Sequence, residues 1–246
     1  GVGYAVTVDL VEASAARRAG VRDWACGGNV YAHIAYPRQL LVKGDVIADA
    51  LTRIGRVPMP SAIPVTASPE RGYRMRARFH ARGRTLGFFR EGTHKLCDPV
   101  STGQLLPETG DIVREIEERL RDGSLQGVTE LELAENVPAS ERAFHFELER
   151  PVTPTGLSDL TRLPSVVGIS ASFTPPAQSG RSWRRTITAG GTPCVLDTLI
   201  VQWTGDADVE PGSAAPSADA AAASPETARH PLEPVRETDV RLQHHA

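Results

Sequence analysis

From Gly72 to Gly92 the chain reads GYRMRARFHARGRTLGFFREG, and this run constrains the fold more than any other. Side chains of an extended chain alternate between two faces, so a segment in which apolar and charged residues alternate buries one side only as a strand. Two such segments flank ARGR, whose glycine suits a tight turn, and the run is expected to form a β-hairpin. On its first strand Tyr73, Met75, Ala77 and Phe79 would point into a core. Arg74, Arg76 and Arg78 would project from the other face about 6.6 Å apart, given a rise of ~3.3 Å per residue. VTELELAE and AFHFELER around NVPAS predict a second hairpin, with Leu131, Leu133, Phe144, Phe146 and Leu148 facing inward.

Helical spacing appears in two places. Tyr36, Leu40, Ile47, Leu51 and Ile54 recur at helical intervals, with Arg53 and Arg56 near the end where cations suit the helix dipole. ETGDIVREIEERLRDG places Ile112, Val113, Ile116 and Leu120 on one face and stops at Gly123. Both helices should pack on a sheet. GLSDLTRL reads as a short helix, and SVVGISAS, WRRTITA and VLDTLIVQW as further strands. The fold class expected is α+β, an antiparallel sheet with packed helices over residues 26–204. The opening GVGYAVTVDLVEAS has a strand's alternation but is too short to be stable alone, so residues 1–25 look like the end of a preceding domain and its connection. Residues 205–236, rich in Ala, Pro and Ser and without an aromatic side chain, read as a disordered linker, and 237–246 resume an alternating pattern.

With 23% charged residues, 40% hydrophobic residues and a net charge of -3, any attraction to polyanions must come from a local patch. Arg71, Arg82, Arg84, Arg90 and Lys95 crowd the same hairpin region as Arg74, Arg76 and Arg78. Guanidinium forks suit phosphate oxygens, so this face is a candidate nucleic-acid contact. A solvated strand face whose arginines pair with glutamates satisfies the same spacing. The seven histidines show no metal-ligand spacing, and no nucleophile elbow or phosphate loop is present. No metal site and no catalytic residue is therefore assigned. Cys194, entering an apolar strand, reads as a small buried hydrophobe. Three cysteines are too few for a disulfide-stapled secreted scaffold, no signal segment opens the chain, and no run is long enough to span a bilayer. The compartment expected is the cytoplasm, with no membrane partner. DWACGGNVYAH places Cys26 before two glycines, which let backbone amides approach a cluster closely, yet Asn29 stands where a second thiolate would sit.

Several segments together resemble the RNA 5-methyluridine methyltransferases, which methylate carbon 5 of uridine in ribosomal or transfer RNA with S-adenosylmethionine. They are CGG at 26–28, YAHIAYPRQLLVKGDVIADALTRIG at 31–55 with Gln39 and Lys43, GYRMRARFH at 72–80, LGFFREGTHKLCD at 86–98 and GTPCVLDTL at 191–199. The resemblance covers residues 3–204 and is strongest over 26–106. It implies that residues 1–25 end a TRAM domain, an oligonucleotide-binding barrel. Residues 26–204 would form a central RNA-positioning domain, and 237–246 would lead into a class I methyltransferase domain that binds S-adenosylmethionine outside this chain.

The family's chemistry, as implied, uses a cysteine thiolate on carbon 6 of uracil and a carboxylate base at carbon 5. None of the three cysteines here fits the motif of that nucleophile, so the chain alone is expected to be inactive. The target base must be flipped out of its stack, and Arg74, Arg76, Arg78 and Arg90 are the residues expected to hold the flanking RNA; no DNA partner is expected. Many members carry a four-iron, four-sulfur cluster on Cys-x5-Cys-Gly-Gly-Cys plus a distant cysteine. Cys26 and Cys97 match two of those ligands, but Gly20 and Asn29 occupy the others, so no iron–sulfur cluster is expected. The function expected is RNA binding and positioning within an RNA (uracil-5-)-methyltransferase. The alternative is a stand-alone RNA-binding or scaffold protein without catalytic activity.

Overall fold

Both hairpins form, in a computed structural model that describes residues 11–19, 23, 25–58, 63–150, 154–175, 183–203 and 236–245. Strand β1 (Arg76–Arg82) turns into β2 (Thr85–Phe89) with Arg82 opposite Thr85, leaving Gly83 and Arg84 as the turn. Gly83 has φ 63°, a conformation that a side chain disfavours, which is why the turn falls at this glycine. The short β3 (Leu96–Cys97) pairs with β2. The second hairpin is β4 (Val128–Glu135) with β5 (Arg142–Leu148), followed by β6 (Val166–Phe173) and β7 (Arg185–Gly191). These strands make one seven-stranded sheet in the order β3-β2-β1-β4-β5-β6-β7.

The sheet is mixed, which corrects the expected antiparallel arrangement: β5 and β6 run parallel, and every other neighbouring pair is antiparallel. Parallel neighbours need a crossover rather than a tight turn. Helix α3 (Pro154–Ser158) and the 3-10 turn Asp159–Arg162 lie in that crossover, and Leu157 and Leu160 from them are fully buried.

Two longer helices, α1 (Tyr36–Arg53) and α2 (Pro107–Asp122), behave differently. Helix α2 starts at a proline, whose missing N–H costs nothing in the first turn, and ends at Gly123 with φ 84°. It buries Ile112, Val113, Ile116 and Leu120 as its spacing predicts. Helix α1 does not bury its stripe. Ile47 is 46% and Ile54 81% exposed, and Gly44 is the one buried residue of the helix. A Cβ at Gly44 would lie 3.1 Å from the carbonyl of Ile63, so α1 rests on residues 63–65 by its glycine flank rather than on the sheet by its apolar side. That corrects the expectation for this helix.

The core lies on one face of the sheet, where Phe79, Leu131, Phe144, Phe146 and Ile169 meet Ile116, Leu157 and Leu160, all without solvent exposure. Each such side chain stabilises the fold by roughly 1.5–3 kcal/mol relative to leaving it in water. The second face is polar in two rows. Arg78, Glu132, His145, Ser170 and Thr188 stand opposite one another across five strands, and so do His80, Glu130, Glu147, Ser172 and Thr186. Where β4 ends and β5 begins, the buried Glu135 and Arg142 form an ion pair of 2.6 Å. Thr109 of α2 joins both, accepting from Arg142 Nε at 2.9 Å and donating to Glu135, so a polar contact pins the helix to the sheet.

The chain forms two compact units, residues 1–195 with 244–246, and residues 196–243. Strands β8 (Cys194–Trp203) and β9 (Arg236–His245) make a separate two-stranded sheet. The opening residues 1–10 and the low-complexity segment 204–235 lie outside the described residues. Among the described residues no helix is long and apolar enough to cross a membrane.

Candidate nucleic-acid interface

The Cys26-Gly27-Gly28 loop is where distant segments meet. Cys26 bridges Arg90 just past the end of β2, and the Gly27 N–H donates to the Phe89 carbonyl at 2.9 Å. That approach leaves no room for a side chain, because a Cβ on Gly27 would sit 2.8 Å from the Phe89 oxygen. Gly28 has φ +81°, and a Cβ there would overlap the Arg74 guanidinium and the Gln104 amide. The two glycines are required by this packing.

Arg74 holds the loop from the other side. Its Nη1 donates to the Gly27 carbonyl at 3.1 Å and to Gln104 Oε1 at 2.7 Å, while its guanidinium carbon lies 4.3 Å from the centre of the Phe88 ring. Gln104, almost fully buried, donates to the same Gly27 carbonyl at 3.1 Å. Burial lowers the Arg74 pKa from its usual value. The neighbouring Tyr73 donates to the Gly28 carbonyl at 3.2 Å, and burial raises its pKa.

The expected arginine ladder is therefore uneven. The chain enters the sheet two residues late because the Gly72 and Arg74 N–H groups bond to the Gly103 and Gln104 carbonyls. Arg74 turns inward, whereas Tyr73 and Met75, expected in the core, are 38% and 39% exposed. Arg76 opens β1 as an exposed residue. Arg78 pairs with Glu132 and lies 3.8 Å from Glu130. Such exposed pairs contribute about 0–1 kcal/mol, so Arg78 can exchange its carboxylates for a phosphate at little cost. Arg90 engages both oxygens of Asp23, at 2.7 and 3.0 Å.

Cys26 and Cys97, 71 positions apart, form a disulfide, a link the sequence reading did not anticipate. It sits uneasily with the cytoplasmic expectation, since reducing compartments keep most thiols free. With both sulfurs bonded to each other and the nearby Asp23 carboxylate paired with Arg90, the residues present do not fit a four-thiolate iron–sulfur cluster. Nor do they fit S-adenosylmethionine in the manner of a class I fold. The one parallel pair among the described strands leaves β5 through Glu149 and Arg150 rather than through a glycine-rich turn.

The relatives of the chain are RNA methyltransferases. The resemblance to the RNA (uracil-5-)-methyltransferases read from the motifs is shared by curated proteins. The chain is 36% identical over 92 residues to the 23S rRNA (uracil(1939)-C(5))-methyltransferase RlmD of Xylella fastidiosa, covering 35% of this chain and 21% of that one. To the protein of the same name from Methylococcus capsulatus it is 34% identical over 127 residues, 48% of this chain and 29% of that one. An uncharacterized RNA methyltransferase of Nitratidesulfovibrio vulgaris is 33% identical over 108 residues, 42% and 23% of the two chains. A solved structure, the tRNA (uracil-54, C5)-methyltransferase of Pyrococcus abyssi in complex with S-adenosyl-L-homocysteine, shares 19% identity with a TM-score of 0.47, covering 77% of this chain and 45% of that one. No family model matches the chain. The chain's matches thus span 21–29% of the length of these curated relatives.

Proposed function

We propose that this chain binds and positions RNA within an S-adenosylmethionine-dependent RNA (uracil-5-)-methyltransferase that forms 5-methyluridine in ribosomal or transfer RNA. The observation that carries the reading is the course of residues 71–78. Arg71, Arg76 and Arg78 are exposed along a run that begins beside the Gly28 loop and continues into β1, and Arg74 between them is locked on Phe88. A row of guanidiniums on a rigid support suits the phosphates of a strand whose target base is unstacked. The relatives, all RNA methyltransferases, support the same reading. The chain supplies position and affinity, Arg90 braces the loop through Asp23, and the methyl donor and the nucleophile come from residues other than those described. By itself it binds RNA without methylating it.

The test is fluorescence anisotropy with a single-stranded uridine-rich RNA and the DNA of the same sequence, across a salt series. Binding should favour RNA. The double substitution Arg76→Glu, Arg78→Glu should weaken binding at least tenfold and flatten the salt slope by more than about one, since each lost phosphate contact removes about 0.7 on single strands. Affinity unchanged by that substitution would remove the reading in favour of arginines that merely pair with glutamates.

A further inference from the structure

We propose that the cavity between the first turns of α1, the turns at Gly28–Ala32 and residues 68–73 is a pocket for one unstacked nucleotide of single-stranded RNA, with Tyr31 stacking on its base and Lys43 meeting its phosphate. The proposal rests on the RNA-binding reading and adds to it a particular site. Three of the chain's four tyrosines, Tyr31, Tyr36 and Tyr73, line this one cavity. Two of them are fixed by their hydroxyls: Tyr36 donates to the Ser68 carbonyl and accepts from the Ser68 N–H, both at 2.7 Å, and Tyr73 donates to Gly28. Held this way, they wall the pocket while Tyr31, 46% exposed and without a hydroxyl partner among the described residues, is left as the stacking surface. Aromatic rings are what unstacked bases pack against, and each base has such a face whatever its sequence.

The polar groups agree with a nucleotide. Asn29 lines the cavity, is 8% exposed, and its side-chain amide makes no hydrogen bond among the described residues. Facing the cavity, this amide offers both a donor and an acceptor to the edge of a base. Lys43 shares a face of α1 with Tyr36 and Gln39 and has no carboxylate partner among the described residues. Its ammonium is therefore available to an anion, whereas the Arg18 and Glu70 at the rim neutralise each other at 3.1 Å. The volume, about 330 Å³, is at the small end of ligand cavities and suits one nucleotide. The larger cavity over the second face of the sheet, about 810 Å³, is lined by Arg78, Arg82 and Arg184 as well as Glu130, Glu132 and Glu147, and its one aromatic ring, Phe89, stacks on His80.

The experiment measures binding of a short fluorescein-labelled oligouridylate to the whole chain. Tyr31→Ala should weaken binding about 5- to 100-fold, the usual loss for one stacked base, and Tyr31→Phe should keep it within about twofold. Lys43→Met should flatten the plot of log K against log salt by about 0.7. As a readout independent of any variant, 4-thiouridine in the oligomer should cross-link, in the unsubstituted chain, to peptides containing residues 28–43 or 68–73. Wild-type affinity in both Tyr31→Ala and Lys43→Met, or cross-links confined to other peptides, overturns the pocket; if Arg76→Glu, Arg78→Glu still weakens binding, the broader RNA reading survives. No binding by the unsubstituted chain, or binding of uridine monophosphate alone, overturns the pocket as well.

Discussion

Breaking the Cys26–Cys97 link should lower the stability of the fold by about 4 kcal/mol. The two cysteines are 71 positions apart, so the disulfide closes a loop of about 70 residues, and the entropy it removes from the unfolded chain grows with the logarithm of that length. At 25 °C the chain-entropy relation gives roughly 4 kcal/mol, a large part of the ~5–15 kcal/mol by which domains are usually stable. Urea unfolding of the oxidised chain, the chain with a phosphine reductant, and Cys26→Ser should show the last two unfolding together and earlier. Thiol titration in denaturant should find one thiol per chain before reduction, that of Cys194, which forms no disulfide, and three after it. Three thiols without reductant, or coincident unfolding curves, would refute the reasoning. Iron and acid-labile sulfide in stoichiometric amount would refute it too, by showing these sulfurs bound to a metal.

Three further outcomes are expected. Gly28→Ala forces φ +81° on a side chain and drives its methyl into Arg74 and Gln104, so it should cost about 1–3 kcal/mol in thermal or urea unfolding, while Gly83→Ala, which meets no atom within 4 Å, should cost less. Arg142→Met strands the Glu135 carboxylate in the core and should cost about 3–5 kcal/mol, with Arg142→Met, Glu135→Leu recovering most of it in a double-mutant cycle. The His145 pKa is lowered, first by burial and then by Arg184, against the opposing pull of Glu132; its ring also meets Ser170 and Glu147. The unfolded chain then binds the proton more readily. Stability from this group is complete above the ordinary histidine value of 6.5 and falls as pH drops from there through the folded value. Urea midpoints from neutral to acidic pH should show that loss, and His145→Gln should remove it.

Where burial follows a simple period, the sequence was a sufficient guide. Helix α2 and the inner faces of β4 and β5 bury the residues their spacing picks out, because each has a single apolar side and one surface to cover. Helix α1 shows the limit: periodicity tells which side of a helix is apolar, not whether that side meets the sheet. The parallel pairing of β5 and β6 was hidden because alternation is the same in parallel and antiparallel strands. At the candidate interface, Arg74 was misjudged by extending the strand pattern past its first ladder bond, and the backbone bonds to Gly103 and Gln104 that redirect it come from a loop 30 residues away with no signal of its own. Asp23 and Gln104 could not have been singled out for the same reason. Each matters through one partner distant in the chain, and spacing carries no trace of such a pair.

The two polar rows on the second face of the sheet decide something the core leaves open. A one-residue slip between strands turns the apolar side outward and is forbidden by burial, but a two-residue slip returns apolar side chains to the inside, and Leu131, Leu133, Phe144 and Phe146 are similar enough to tolerate it. The outer pairs are not interchangeable. Arg78 faces Glu132, His80 meets Glu130 at 3.2 Å, His145 bonds Ser170 at 2.7 Å, and Ser172 bonds Thr186 at 2.7 Å, so each strand has one alignment in which all of these are satisfied. The greasy side thus chooses which way each strand faces, and the hydrophilic side acts as a vernier that selects among the alignments two residues apart.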